Sequence, residues 1–341
     1  MTKVSDFDYD LPQELIAQDP IEPRDASRLL IMDKETGAIS HSAFSQLPER
    51  LNPGDVLVLN DTKVLPARLF AKRKSGATIE VLLLKQVGLK SWQVLVRPGK
   101  KALPGERLYF DIEGFAATVV DYSDDGTRII EFAYDGDFYA FLEKIGQMPL
   151  PPYIKKHLDD QSRYQPVYAR EKGSAAAPTA GLHFTPVLLD TLEKQGVIVV
   201  KVLLHVGLGT FRPVKVDILE EHVMHQEFYR VSPETADVIN RARAAGGRVI
   251  AVGTTSVRTL ETVADEEGKI IPCEGWTQKF IYPGYRFKAI DGMITNFHLP
   301  KSTLLMLVCA FAGMEHTLAA YHEAIKERYR LFSFGDAMMI I

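Results

Sequence analysis

The sequence predicts an α/β protein: a mixed-sheet α/β main domain with an inserted antiparallel β-barrel domain. Three observations carry this. From residue 186 onward helical patterns alternate with short apolar runs, the order that builds βα units around a sheet. Val56–Leu59 is apolar at every position, as in a strand covered on both faces. Between 64 and 148, by contrast, short β runs recur at even spacing with turn residues between them, which favours an antiparallel barrel. The expected boundaries are 1–62 and 149–341 for a discontinuous α/β domain and 63–148 for the barrel.

Composition sets the frame. A chain of 341 residues accommodates two domains, and 46% hydrophobic with 25% charged residues is ordinary for a globular enzyme. The formal charge of −4 lacks the basic excess usual in nucleic-acid binders, though a local basic face is compatible with it. Cys273 and Cys309 show no C-x-x-C spacing, so neither a disulfide framework nor a metal site is expected. The N-terminus is acidic without an apolar signal core. The longest apolar run, Leu304–Ala312, is far short of the roughly 20 residues that span a bilayer. A cytoplasmic protein with no membrane partner is expected.

In chain order, Gln13–Ala17 reads as a short helix and Arg28–Met32 as a strand. The strand Val56–Leu59 ends in Asn60-Asp61-Thr62-Lys63, either ligand-facing groups at a strand's carboxyl end or a simple Asn-Asp turn. Six barrel strands follow: Ala67–Ala71, Thr78–Leu84, Trp92–Val96, Arg107–Phe110, Phe115–Asp121 and Thr127–Phe132. A helix over Phe138–Gly146 leads to the Pro-rich linker at 148–153.

The stretch at 173–186 has no useful periodicity, and its small residues let the backbone approach another element or a ligand. It ends in His183 and a sharp helix start, Thr185 being the expected N-cap and Pro186 the first helical residue. A helix N-terminus disfavours imidazolium, so His183 is expected to be neutral. A hydrogen-bonded structural His is the alternative. Helix Pro186–Gln195, strand Val197–Leu203 and the loop Leu204–Pro213 come next. That loop is no dinucleotide fingerprint, because Arg212 stands where the third glycine belongs.

Residues 224–229 read as a strand and Glu234–Ala244 as a helix capped by Ser232-Pro233. Strand Arg248–Val252 then runs into Gly253-Thr254-Thr255-Ser256 and a helix from Val257. Strand, glycine, hydroxyls and helix N-terminus make an anion site, with Arg258 adding charge and a carboxylate as the natural guest; a plain helix cap is the alternative. Strands at Gly275–Tyr282 and Ala289–Ile294, the polar cluster 295–303, and helices Leu304–Gly313 and Glu315–Arg328 complete the chain.

Polar loops thus recur at 60–63, 179–185, 205–212, 253–258 and 295–303, as around the rim of one cleft. Neither an H-E-x-x-H arrangement nor a G-x-S-x-G elbow is present, which argues against a zinc enzyme and an ordinary hydrolase.

Six motifs go further. They are Leu59–Arg68, Ala177–Thr185, His205–Phe211, Ala251–Ser256, Ile294–Ser302 and Ser333–Met338. Together they resemble the signatures of the S-adenosylmethionine:tRNA ribosyltransferase-isomerases of queuosine biosynthesis, and the resemblance runs from Phe7 to the C-terminus. It implies a transferase that moves and isomerises the ribosyl group of S-adenosylmethionine onto the aminomethyl group of 7-aminomethyl-7-deazaguanine at the tRNA wobble position. Epoxyqueuosine-tRNA, adenine and methionine are the implied products. S-adenosylmethionine is then a consumed substrate, with no cofactor, and a monomer is expected.

Such chemistry needs a base for the C5′ proton beside the sulfonium, a proton for departing adenine, and a neutral attacking amine. The catalytic candidates are His183, His205 and His298, with Glu227 and Asp61 as carboxylate partners. The substrate-binding candidates are Asn60, Thr179, Gly181, Gly207, Gly209, Thr210, Thr254, Thr255, Arg258, Asn296 and Lys301. For tRNA the basic clusters Lys72-Arg73-Lys74, Lys100-Lys101 and Lys155-Lys156 are the candidates. A tRNA-binding or chaperone module and a methyltransferase of unusual fold remain the alternatives, separable by the products released.

Overall fold

The computed structural model describes residues 2–123, 126–207, 214 and 216–341. Two compact units emerge: one formed by Met1–Lys63, Pro152–Glu171 and Ala177–Ile341, the other by Val64–Pro151 and Lys172–Ala176.

In chain order the first strands are β1 (Arg28–Met32), β2 (Ile39–Ala43), β3 (Val56–Asn60) and β4 (Thr62–Val64). The barrel strands are β5 (Arg68–Lys72), β6 (Thr78–Gln86), β7 (Ser91–Arg97), β8 (Arg107–Phe110), β9 (Phe115–Tyr122) and β10 (Arg128–Tyr134), followed by helix α1 (Phe138–Ile145). Then come β11 (Glu171–Ser174), α2 (Pro186–Lys194), β12 (Ile198–Leu204), β13 (Glu227–Val231), α3 (Pro233–Ala244) and β14 (Val249–Val252). The rest are α4 (Gly253–Val263), β15 (Cys273–Thr277), β16 (Gly292–Asn296), α5 (Thr303–Ala312), α6 (Met314–Lys326) and β17 (Ala337–Ile340).

The first unit is built on a nine-stranded sheet in the order β15-β13-β12-β3-β14-β16-β17-β1-β2. At its centre β12, β3, β14 and β16 run parallel, with Val58 opposite both Val200 and Ala251. All five residues of β3 are buried, which is why its sequence lacks alternation. Leu57, Leu59, Ile250, Ile294 and Met339 meet Phe44, Leu47, Phe184, Leu188 and Leu192 in one core; each buried side chain of this kind contributes about 1.5–3 kcal/mol. The Thr185 hydroxyl accepts from Leu188 N at 3.1 Å and Pro186 opens α2, as the sequence predicts.

The second unit holds a closed antiparallel barrel, β10-β7-β6-β5-β8-β9. Alternate residues Leu69, Ile79, Val81, Val94, Leu108, Val119 and Ile130 fill it, and Phe138 and Leu142 of α1 pack with them. Residues 172–176, expected in the α/β part, belong to this unit: Leu65 N donates to Ser174 O at 3.0 Å.

Three differences from expectation have physical causes. β17 lies between β16 and β1, yet its four-residue apolar run carries no pattern that separates it from other buried chain. β2 is an edge strand of polar and small residues, stabilised by its ladder to β1 rather than by its own propensity. Helix α4 starts at Gly253 instead of Val257, so the residues read as a loop form its first turn.

Candidate active site at the carboxyl edge of the parallel strands

A cleft open to solvent lies in the first unit. Gly253, Thr254 and Thr255 follow β14, Thr295–Leu299 end and follow β16, and Val206 follows β12. Ala177–Ala180, the small-residue stretch, forms another wall. Carboxyl ends of adjacent parallel strands leave such a crevice because the chain departs from each of them toward a helix.

Asn296 sits at the floor, buried and fully bonded. Its Nδ2 donates to Phe332 O at 3.2 Å and to His183 Nε2 at 3.1 Å, while its Oδ1 accepts from the Thr179 hydroxyl at 2.9 Å. A carbonyl can only accept, so Phe332 O fixes the amide's orientation. His183 Nε2 is therefore the acceptor, and Nδ1 carries the proton, which it donates to Ser27 Oγ at 2.7 Å. The imidazole stacks on Phe44 at 4.9 Å and is buried. Burial, then the charges of Arg330 and Arg24, push it down to about 3. His183 is neutral as expected, but burial does this, not a helix N-terminus. Both its nitrogens are occupied and it does not line the cleft; it orients Asn296, which orients Thr179.

His298 does line the cleft. Its Nε2 lies 2.7 Å from the Thr295 hydroxyl, its backbone N–H donates to Tyr321 Oη at 3.0 Å, and its carbonyl accepts from Tyr9 Oη at 2.6 Å. The backbone is thus clamped by two tyrosines that sequence reasoning missed. Burial holds the imidazole well below its usual value, so it is neutral near pH 7.

Glu227 and Arg258 form a buried ion pair, 1% and 4% exposed at their side chains. Glu227 Oε1 accepts from Gly207 N at 2.8 Å and lies 3.0 Å from His225 Nε2; Arg258 Nε donates to Lys279 O at 3.1 Å. Burial pushes the Glu227 carboxyl up, and Arg258, His225 and the Gly207 amide more than reverse this, leaving it at about 2. Arg258, expected to add charge to an anion site, is paired through Nη1 with Glu227, while its Nη2 is buried without a hydrogen-bond partner among the described residues. Glu227 likewise partners Arg258 and His225, not a catalytic candidate.

Asn60 is also structural. Its Nδ2 donates to Leu204 O at 2.9 Å, and its Oδ1 accepts from Leu204 N at 3.1 Å and Thr62 N at 3.2 Å, tying β3 to β12. His205 Nδ1 lies 2.8 Å from the Thr62 hydroxyl, with the ring stacked 5.9 Å from Phe228. Burial lowers the His205 imidazole, and burial raises the neighbouring Asp61 carboxyl. Asp61, Asn60, His205, Glu227 and Arg258 do not line the cleft that Thr179, Thr254, Thr255, Asn296 and His298 share.

Gly181 is packed: a Cβ there would meet the Tyr168 hydroxyl at 2.2 Å. Lys301 pairs with Asp8 at 2.6 Å at the surface. Gly209 and Thr210 lie outside the described residues. Of the basic candidates, Arg73 is bound to Glu106 at 2.6 Å and Lys156 to Asp19 at 2.7 Å, whereas Lys72, Lys74, Lys100, Lys101 and Lys155 are exposed without such a pair among the described residues. Tyr153 and Ser333, missed in the sequence, both line the cleft and are bonded at 2.7 Å; their only signal was a Pro-rich linker and a Ser-Phe-Gly-Asp run. Among the described residues no group of three or more His, Cys, Asp or Glu side chains is placed to hold a metal, and no single helix is long and apolar enough to cross a membrane.

The mixed sheet, the barrel and a cleft at the carboxyl ends of the parallel strands are the architecture of an α/β enzyme. A family model described as "Queuosine biosynthesis protein" matches residues 4–340. The chain is 61% identical over 340 residues to the S-adenosylmethionine:tRNA ribosyltransferase-isomerase of Symbiobacterium thermophilum, covering 99% of this chain and 100% of that one. It is 60% identical over 339 residues to the enzyme of the same name from Acetivibrio thermocellus, covering 99% of each. A crystal structure of S-adenosylmethionine tRNA ribosyltransferase from Thermotoga maritima matches with 43% identity and a TM-score of 0.56, covering 99% of this chain and 100% of that one. The chain belongs to the queuosine-biosynthesis family of transferase-isomerases, as its motifs predicted.

Proposed function

We propose that the protein transfers and isomerises the ribosyl moiety of S-adenosylmethionine onto 7-aminomethyl-7-deazaguanine at the tRNA wobble position, giving epoxyqueuosine-tRNA and releasing adenine and methionine. The observation that carries this reading is the full-length identity to enzymes named S-adenosylmethionine:tRNA ribosyltransferase-isomerase. The cleft supports it: among the described residues that line it none is Lys, Arg, Asp or Glu, which suits a small sulfonium compound better than a polyphosphate. S-adenosylmethionine serves as substrate, with no cofactor, and action on tRNA fits a cytoplasmic location.

Of the two titratable groups among the described residues lining this cleft, Tyr153 and His298, His298 carries the imidazole, so it is the residue we assign to accept the C5′ proton. Thr179, aimed by Asn296 and His183, positions the donor. The basic residues Lys72, Lys74, Lys100, Lys101 and Lys155 serve the tRNA backbone. The test incubates the enzyme with S-adenosylmethionine and tRNA carrying the aminomethyl-deazaguanine base. Adenine and methionine are expected in equal amounts; S-adenosylhomocysteine would mean methyl transfer, and neither product would mean a binding module.

A further inference from the structure

Helix α4 meets the cleft with its N-terminus uncapped. Its N-cap residue is Val252, which makes no side-chain cap, so the first-turn amides lack the hydroxyl acceptor that Ser302 provides for α5 on the same cleft. Inside that turn Thr255 lines the cleft, is 8% exposed, and its Oγ1 is buried without a hydrogen-bond partner among the described residues. Neighbouring hydroxyls behave differently: Ser256 Oγ donates to Val252 O at 2.8 Å and Thr259 Oγ1 to Thr255 O at 2.9 Å. A buried hydroxyl with no partner is a cost that an acceptor oxygen of a guest removes.

Glycine at 253 adds no side chain beside this hydroxyl. Gly253 has φ +81, which admits glycine most readily, and a Cβ there would stand 3.6 Å from Thr255 Oγ1, in the space beside the hydroxyl. An oxygen anion placed there receives the first-turn N–H groups, the Thr255 hydroxyl and the positive end of an 11-residue helix. With Arg258 paired to Glu227 and no Lys or Arg among the described residues lining the cleft, the site suits one negative charge rather than a phosphate dianion.

We propose that the first turn of α4, with the Thr255 hydroxyl, binds the carboxylate of the amino-acid arm of the sulfonium donor. This rests on the donor assignment made above, and deepens it. The site replaces Arg258 as the carboxylate's partner.

Calorimetry on the full-length enzyme with S-adenosylmethionine, and with its analogue carrying hydrogen in place of the carboxylate, tests this. Wild type is expected to bind the analogue about tenfold more weakly, Thr255→Val to lose about tenfold toward S-adenosylmethionine only, and Thr255→Ser to restore it. Urea unfolding confirms that the variants are folded. Equal affinity of wild type for both compounds, or equal weakening of both by Thr255→Val, overturns the site. If adenine and methionine are still released in that case, the reaction stands and only the carboxylate site falls. If neither compound binds, both fall together. Competition by millimolar inorganic phosphate that Thr255→Val abolishes, with no discrimination between the two sulfonium compounds, would assign the turn to a phosphate instead.

Discussion

Asn296 Nδ2 and His183 Nε2 meet at 3.1 Å beneath the cleft, and that one bond links the buried Ser27–His183 pair to the Thr179 hydroxyl at the surface of the site. The histidine reaches the cleft wall only through Asn296 and Thr179. Replacing His183 with Ala leaves Ser27 and Asn296 short of a partner in a buried place, at a cost of about 1–3 kcal/mol for each group left unsatisfied. His183→Gln, able to bond at one end, should lose less. Urea unfolding checks the order; unchanged stability with a collapsed single-turnover rate would make His183 a direct participant.

The same residue predicts a pH dependence. Folded His183 sits at about 3 against an ordinary 6.5, so the unfolded chain takes up the proton first as pH falls. Its contribution is present above pH 6.5 and is lost progressively as pH falls toward 3, reaching about 2 kcal/mol by pH 5. His183→Gln should flatten the stability profile between pH 7 and 5 by that amount. An identical slope in variant and wild type contradicts the assignment.

For His298, which faces the cleft, the expectation reverses. His298→Gln should keep a near wild-type urea midpoint and donor affinity while the single-turnover rate falls by about 10²–10⁴-fold. A fully active variant removes the imidazole from the chemistry.

Breaking the Arg258–Glu227 pair is a stability experiment. Arg258→Ala leaves a buried carboxylate uncompensated and should cost about 3–5 kcal/mol. Adding Glu227→Gln removes that charge while an amide oxygen still accepts from Gly207, so the double variant should recover part of the loss. Weakened donor binding at unchanged stability would return Arg258 to a ligand role.

Charge reversal on the barrel separates free from committed cations. Lys72→Glu with Lys74→Glu should weaken tRNA binding and lower its salt slope by roughly 0.7–0.9 for each phosphate that is no longer neutralised. Arg73→Glu should also reduce stability, because it sets a carboxylate against Glu106. Salt slopes that stay at the wild-type value would place the tRNA elsewhere.

Much of this architecture was legible in the chain because its cues are local. The unbroken apolar run of β3, the Thr185-Pro186 and Ser232-Pro233 helix starts, and the even spacing of the barrel strands each depend on neighbours a few residues away. The polar loops could be named for the same reason, since glycine, hydroxyl and histidine cluster where a strand stops. The family, too, was readable from motifs alone.

What the chain could not declare is which of those polar groups are already satisfied by residues far along it. Asn60 is matched by Leu204, His183 by Ser27 and Asn296, Glu227 by Arg258, pairings separated by 31 to 156 residues. Only the folded sheet brings these partners within hydrogen-bond distance. A buried polar group with every bond made is part of the scaffold, whereas Thr255, whose Oγ1 is buried without a partner among the described residues, and His298 both line the cleft. Residue type and spacing therefore determined the fold and the family. The division between scaffold and site was decided by long-range hydrogen bonding, which is a property of the tertiary structure.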